Sequence, residues 1–146
     1  ELAEDRQTGV SVMLDVAHNP DSIDALVFAV QRLMQPNPAL EQIKGTVRLV
    51  IAVMADKDIE TMLASLVSIA DIWYISQVED ARCLPATKLG LRLKNIDPSA
   101  MMRCFDGVAE AYQKACEDAV AGAERSLVVV AGSFHTVSAA RMLVKC

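Results

Sequence analysis

The chain has 146 residues, 53% hydrophobic and 23% charged, which excludes disorder as its main state. Aromatics make up only 4%, and the net charge is −5 with no basic stripe, so neither a base-stacking platform nor a phosphate-backbone binder is expected. No apolar stretch reaches the roughly 18 residues that cross a membrane, and no basic start followed by an apolar run marks a secretory signal. The chain opens on Glu1 rather than Met, so it is expected to be processed or part of something longer. Its four cysteines, Cys83, Cys104, Cys116 and Cys146, match no zinc spacing and include no C-x-x-C. Reduced, structural thiols in a cytoplasmic setting are expected.

Strand-length apolar runs alternate with helix-period stretches. Ser11–Val16 reads as a strand. Pro20 marks a helix start, and Asp21–Gln35 carries Ile23, Leu26, Val27, Val30, Leu33 and Met34 at helical spacing, with Pro36 and Pro38 as its stop. Thr46–Met54 predicts a buried strand, Asp58–Ile69 a helix and Asp71–Val78 a third strand. Pro85–Leu93 predicts a short helix, Met101–Phe105 a short strand and Asp106–Ala121 an Ala-rich helix. Ser126–Ala131 reads as the last strand and Phe134–Lys145 as the last helix. The runs VRLVIAV and LVVVA are continuously apolar, as strands covered on both faces should be. This alternation predicts one α/β domain over 1–146, a three-layer fold with a mostly parallel sheet and helices on both faces.

Parallel strands end at one common edge, where open α/β sheets bind ligands. Three polar clusters are expected there: Asp15–Asn19, Asp56–Asp58 and Gly132–Thr136. Asn19 and Ser133 each suit a helix N-cap, and Asp58 is read mainly as another, with Lys57 adding positive charge. Asp15 sits too early to cap, and a carboxylate ending an apolar strand needs a hydrogen-bonding reason. His18, three residues on, is a structural histidine or a ligand contact. Gly132 allows close backbone approach, and the helix start after it favours an anion. Two histidines without a third ligand at a known spacing argue against a metal site. No G-x-G-x-x-G, P-loop or G-x-S-x-G occurs, and a receiver-type domain would want paired acids where Asp15 stands alone.

L-D-V-A-H-N-P at 14–20, A-D-K-D at 55–58 and V-A-G-S-F-H-T-V at 130–137 resemble the bacterial folylpolyglutamate synthase/dihydrofolate synthase family of the Mur ligase superfamily. The likeness covers nearly the whole chain, in order and at matching spacing. It implies the C-terminal, Rossmann-like domain of a two-domain ligase in folate biosynthesis and one-carbon metabolism. The P-loop, the magnesium ligands and a linker arginine are then expected in an N-terminal ATPase domain of the same protein, outside this chain. The implied reaction activates a pteroate or folate carboxylate with ATP and Mg2+ as an acyl phosphate, which the amine of glutamate attacks. The resemblance also implies residue roles: Asp15 for ATP, His18 for catalysis near the transferred phosphate, and Ser133 and His135 for glutamate. The isolated chain is expected to fold without ligating. No nucleic-acid or membrane partner is implied. Two rival readings are a stand-alone, non-catalytic ligand-binding module and a Mur-type peptidoglycan ligase domain.

Overall fold

The computed structural model describes residues 1–35, 45–122 and 124–145, leaving out the side chain of Lys145. In chain order the elements are β1 (Leu2–Asp5), β2 (Ser11–Leu14), α1 (Pro20–Leu33), β3 (Thr46–Ile51), α2 (Ile59–Val67) and β4 (Ile72–Ile75). Then come α3 (Ala86–Ile96), β5 (Met101–Cys104), α4 (Val108–Ala121), β6 (Ser126–Ala131), α5 (Phe134–Arg141) and β7 (Val144–Lys145). Among the described residues the strands form one sheet in the order β5-β4-β3-β6-β2-β1-β7. The five from β5 to β2 are parallel, whereas β1 is antiparallel to β2 and β7 antiparallel to β1.

Two apolar layers sandwich the sheet. On one face Ile23, Leu26 and Val30 of α1, Met62, Leu63 and Leu66 of α2, and Leu89 and Leu93 of α3 pack on Met13, Leu49, Ile51, Trp73 and Val129. On the other, Ala111, Tyr112, Ala115 and Ala119 of α4 and Val137 and Ala140 of α5 cover Val12, Val50, Tyr74, Val128 and Val130. Strands β3 and β6 are buried on both sides, which explains their unbroken apolar runs. The small side chains spaced along α4 keep that helix close to the sheet.

Two strands depart from the expected pattern. Leu2–Asp5 forms a hairpin with β2 around a turn in which Asp5 Oδ1 accepts hydrogen bonds from the Gln7 and Thr8 amides and the Thr8 hydroxyl. The last helix ends at Arg141, not Lys145. Val144 is buried and its carbonyl takes a hydrogen bond from Arg6 Nε, so pairing with β1 overrides the helical pattern. Pro36, Pro38 and Cys146, which figure in the sequence pattern, lie outside the described residues. No helix among the described residues is long and apolar enough to cross a membrane.

Candidate functional site

The order of crossovers decides where a ligand can sit. From β2 the chain passes into α1 and from β3 into α2, both on one face, while β6 between them leads into α5 on the other. The loops therefore part at the carboxyl end of β6, opening the switch-point crevice of a doubly wound sheet. Asp15–Asn19, Asp56–Asp58 and Gly132–Thr136 all follow strands that end at this edge, as their order in the sequence implied, and the sheet makes those strands neighbours.

These loops are stitched backbone to backbone. The Asp15 amide donates to Val130 O at 3.0 Å, which carries the β2–β6 ladder one residue past the strand. The Gly132 amide donates to Ala17 O at 3.0 Å. Gly132 has φ +121°, and a Cβ on it would collide with the Ala52 carbonyl at the end of β3. Only glycine lets the loop pass so close to β3.

Asp15 is half-buried, and its Oδ1 accepts the Ala17 amide at 2.9 Å. Its structural role is thus to turn the chain out of the strand, not to cap α1. That cap is Asn19, whose side chain accepts the Ser22 amide at 2.9 Å while the Ser22 hydroxyl takes the Asn19 amide, closing a capping box. The His18 amide also donates to Ser22 Oγ, and the exposed ring places Nδ1 2.9 Å from Val16 O. A carbonyl only accepts, so Nδ1 carries the proton and Nε2 is the outward atom.

Ser133 is buried and caps α5, accepting the Thr136 amide at 3.1 Å. Thr136 Oγ1 donates to Ala52 O at 3.0 Å, which uses its one proton, so the 2.8 Å contact between the hydroxyls runs from Ser133 to Thr136. Ser133 therefore has a lone pair to offer, and the free donors of this helix start are the first-turn amides of Phe134 and His135. His135 is exposed. Asp58 is a correction. It holds the N-cap position of α2, but its side chain caps nothing. The Ile59 amide donates to Lys57 O, and with φ −75° and ψ 74° Asp58 centres an inverse γ-turn in place of a side-chain cap.

Among the described residues no hydrogen bond joins Asp15, His18, Ser133 and His135 to one another, and no three His, Cys, Asp or Glu side chains cluster to hold a metal. They share an edge, each fixed by its own local bonds. Thr136 lies within a motif but carried no role of its own, and it ties α5 to the end of β3, whereas Arg82, paired with Asp80 in the loop after β4, belongs to no motif. The signal for Arg82 is its place alone, in the loop that leaves the carboxyl end of a parallel strand.

The Mur ligase, glutamate ligase domain family model matches residues 1–134. The dihydrofolate synthase/folylpolyglutamate synthase of Escherichia coli strain K12 is 37% identical over 127 residues, 87% of this chain. This chain spans 26% of that protein's length. Among solved structures, a bifunctional folylpolyglutamate synthase/dihydrofolate synthase with Mn, AMPPNP and L-glutamate bound is 32% identical, with a TM-score of 0.73 over 97% of this chain and 30% of that one. Mycobacterium tuberculosis folylpolyglutamate synthase complexed with ADP is 26% identical, with a TM-score of 0.75 over 97% and 31%. By these matches, with the same α/β layers and the D-V-A-H-N-P and G-S-F-H-T loops on one edge, the chain belongs to the Mur ligase glutamate ligase domain family.

Proposed function

We propose that this chain is the C-terminal domain of an ATP-dependent ligase that joins glutamate to dihydropteroate, to folates or to both. The observation that carries the reading is the junction of the Asp15–His18 loop with the Gly132–Thr136 loop through Gly132 N–H to Ala17 O. It sets a nucleotide-type acceptor and an anion-type donor side by side at a switch point. Relatives that hold AMPPNP, ADP and L-glutamate support it.

Asp15 keeps its second carboxylate oxygen for ribose hydroxyls, a charge-assisted contact. His18 turns Nε2 outward, where the doubly protonated, cationic ring donates and stabilises charge as the amine attacks and phosphate leaves. The first-turn amides of α5 hold a carboxylate of glutamate with the His135 ring beside them, and the Ser133 lone pair is left to accept a proton from its amino group. Magnesium, when bound, would neutralise phosphate charge, and no three His, Cys, Asp or Glu side chains among the described residues cluster to hold it. The rest of the protein is expected to close over this edge, where Val16 and Phe134 are exposed. The free thiols of Cys83, Cys104 and Cys116 suit the cytosol.

The test is ATP-dependent incorporation of glutamate into dihydropteroate and tetrahydrofolate by the longer protein containing this chain. His18→Ala should lower kcat and Asp15→Ala should raise KM for ATP, each by about 10- to 100-fold for one charge-assisted hydrogen bond. A pure, folded, unmodified protein that incorporates no glutamate into either acceptor refutes the reading.

A further inference from the structure

The imidazole of His18 is exposed, so packing does not hold it. Its hydrogen-bond partner is Val16 O, 2.9 Å from Nδ1. The direction of Nε2 therefore depends on how the backbone beneath the ring is held. On one side of His18 the loop is tied through Ala17 O to the Gly132 amide. On the other side it is tied by a single hydroxyl. Ser22 Oγ accepts the His18 amide at 3.1 Å and the Asn19 amide at 3.1 Å, and donates to Asn19 O at 3.1 Å. A hydroxyl has two lone pairs and one proton, so Ser22 keeps nothing for a ligand.

The position of Ser22 is itself set by the core. It lies in the first turn of α1, where Ile23 and Leu26 are buried against the sheet. Pro20 keeps Asn19 before it in extended backbone, with φ −138° and ψ 167°. Helix capping explains only part of this arrangement. A capping box needs the side chain at the third helical position to take the amide of the cap residue, here Asn19. It does not need the amide of the residue before the cap, which is His18. Glutamate or glutamine usually fills the third position and reaches back with a long side chain. Serine instead brings one oxygen within 3.1 Å of both amides. Asp15 is anchored without Ser22, by its amide to Val130 O and by the Ala17 amide to its Oδ1.

We propose that Ser22 is a positioning residue for His18, its hydroxyl fixing the backbone from which the imidazole reaches the reacting groups. The inference rests on the ligase reading above. Its test is steady-state ligation by the longer protein, with glutamate and ATP varied separately, and thermal unfolding of each variant. Ser22→Ala should lower kcat about three- to tenfold, the worth of one hydrogen bond, and leave KM for ATP within about twofold because Asp15 keeps its own anchors. Ser22→Thr, which keeps the hydroxyl, should retain kcat within about twofold. In a His18→Ala background Ser22→Ala should lower kcat no further, although it lowers Tm in both backgrounds because the capping box is lost in both. A loss of kcat by the same factor in both backgrounds overturns the inference, since a residue that only stabilises the helix start would give that result. An active Ser22→Ala enzyme with unchanged kcat overturns it, as does a Ser22→Thr enzyme as impaired as Ser22→Ala, or an effect confined to KM for ATP. Each of these leaves the ligase reading standing. An unmodified protein without ligation overturns both.

Discussion

Gly132 is where fold and site depend on the same atoms, and Gly132→Ala tests that dependence. At φ +121° an L side chain is strained, at about 1–3 kcal/mol. The new Cβ would collide with the Ala52 carbonyl oxygen and lie 3.0 Å from its carbon, and backbone cannot swing aside as a side-chain tip would. Parting the two strand ends strains Gly132 N–H to Ala17 O and Thr136 Oγ1 to Ala52 O, at about 1 kcal/mol each. The expected loss is about 3–5 kcal/mol, which for a domain of this size lowers Tm by about 6–20 °C. Gly9→Ala is the control. Its φ is +71° and nothing lies within 4 Å of the added Cβ, so its cost is backbone conformation alone, about 1 kcal/mol. Thermal unfolding of the chain monitored by circular dichroism compares the two. If Gly132→Ala lowers Tm by no more than Gly9→Ala, the contact with Ala52 does not constrain the loop and the argument fails.

Acid should unfold the chain through carboxylates held below their ordinary range. Burial pushes Asp5 and Asp118 up, but hydrogen bonds outweigh it, from Thr8, Tyr112 and Gln7 to Asp5 and from Lys114 and Tyr74 to Asp118. A depressed folded pKa contributes stability that is complete above the unfolded value and lost as pH falls through the folded one, so the urea midpoint should fall below about pH 4 and less steeply in Asp5→Asn. A midpoint unchanged down to about pH 3 contradicts this. Burial pushes the Cys116 thiol up to about 11, so iodoacetamide at about pH 8 should leave it unmodified until urea unfolds the chain. Mass spectrometry of its peptide gives the answer, and rapid native alkylation contradicts the expectation.

Local signals carried much of this architecture. The apolar runs at Thr46–Ile51 and Ser126–Ala131 and the spacing of Ile23, Leu26 and Val30 identify their elements without tertiary context. Pairing that depends on distant partners is not written locally. Leu2–Asp5 is short and half polar, and becomes a strand because β2 and β7 flank it. Val144 fits the helical pattern but is drawn to β1. The site divides in the same way. The loops after β2 and β6 stand out as motifs. That β6 lies between β2 and β3, and that the loop of Arg82 is bonded to the loop of Asp56, are products of the crossovers.

The hydroxyl pair shows why residue type alone misassigns a role. A serine at a helix start offers both a donor and an acceptor, and either could meet a ligand. Thr136 removes that ambiguity, because its single proton goes to Ala52 O and the Ser133 proton must then go to Thr136. The Ala52 carbonyl faces both that hydroxyl and Gly132, so the chain of bonds that fixes the donors at the start of α5 begins in β3. The Asp15 loop is held to the same point from the other side, through Ala17 O and Gly132 N–H. Positioning at this edge is thus a property of β2, β6 and β3 acting together. A substitution at buried Thr136 or Ala52 should therefore act on ligand binding by moving the residues that touch it.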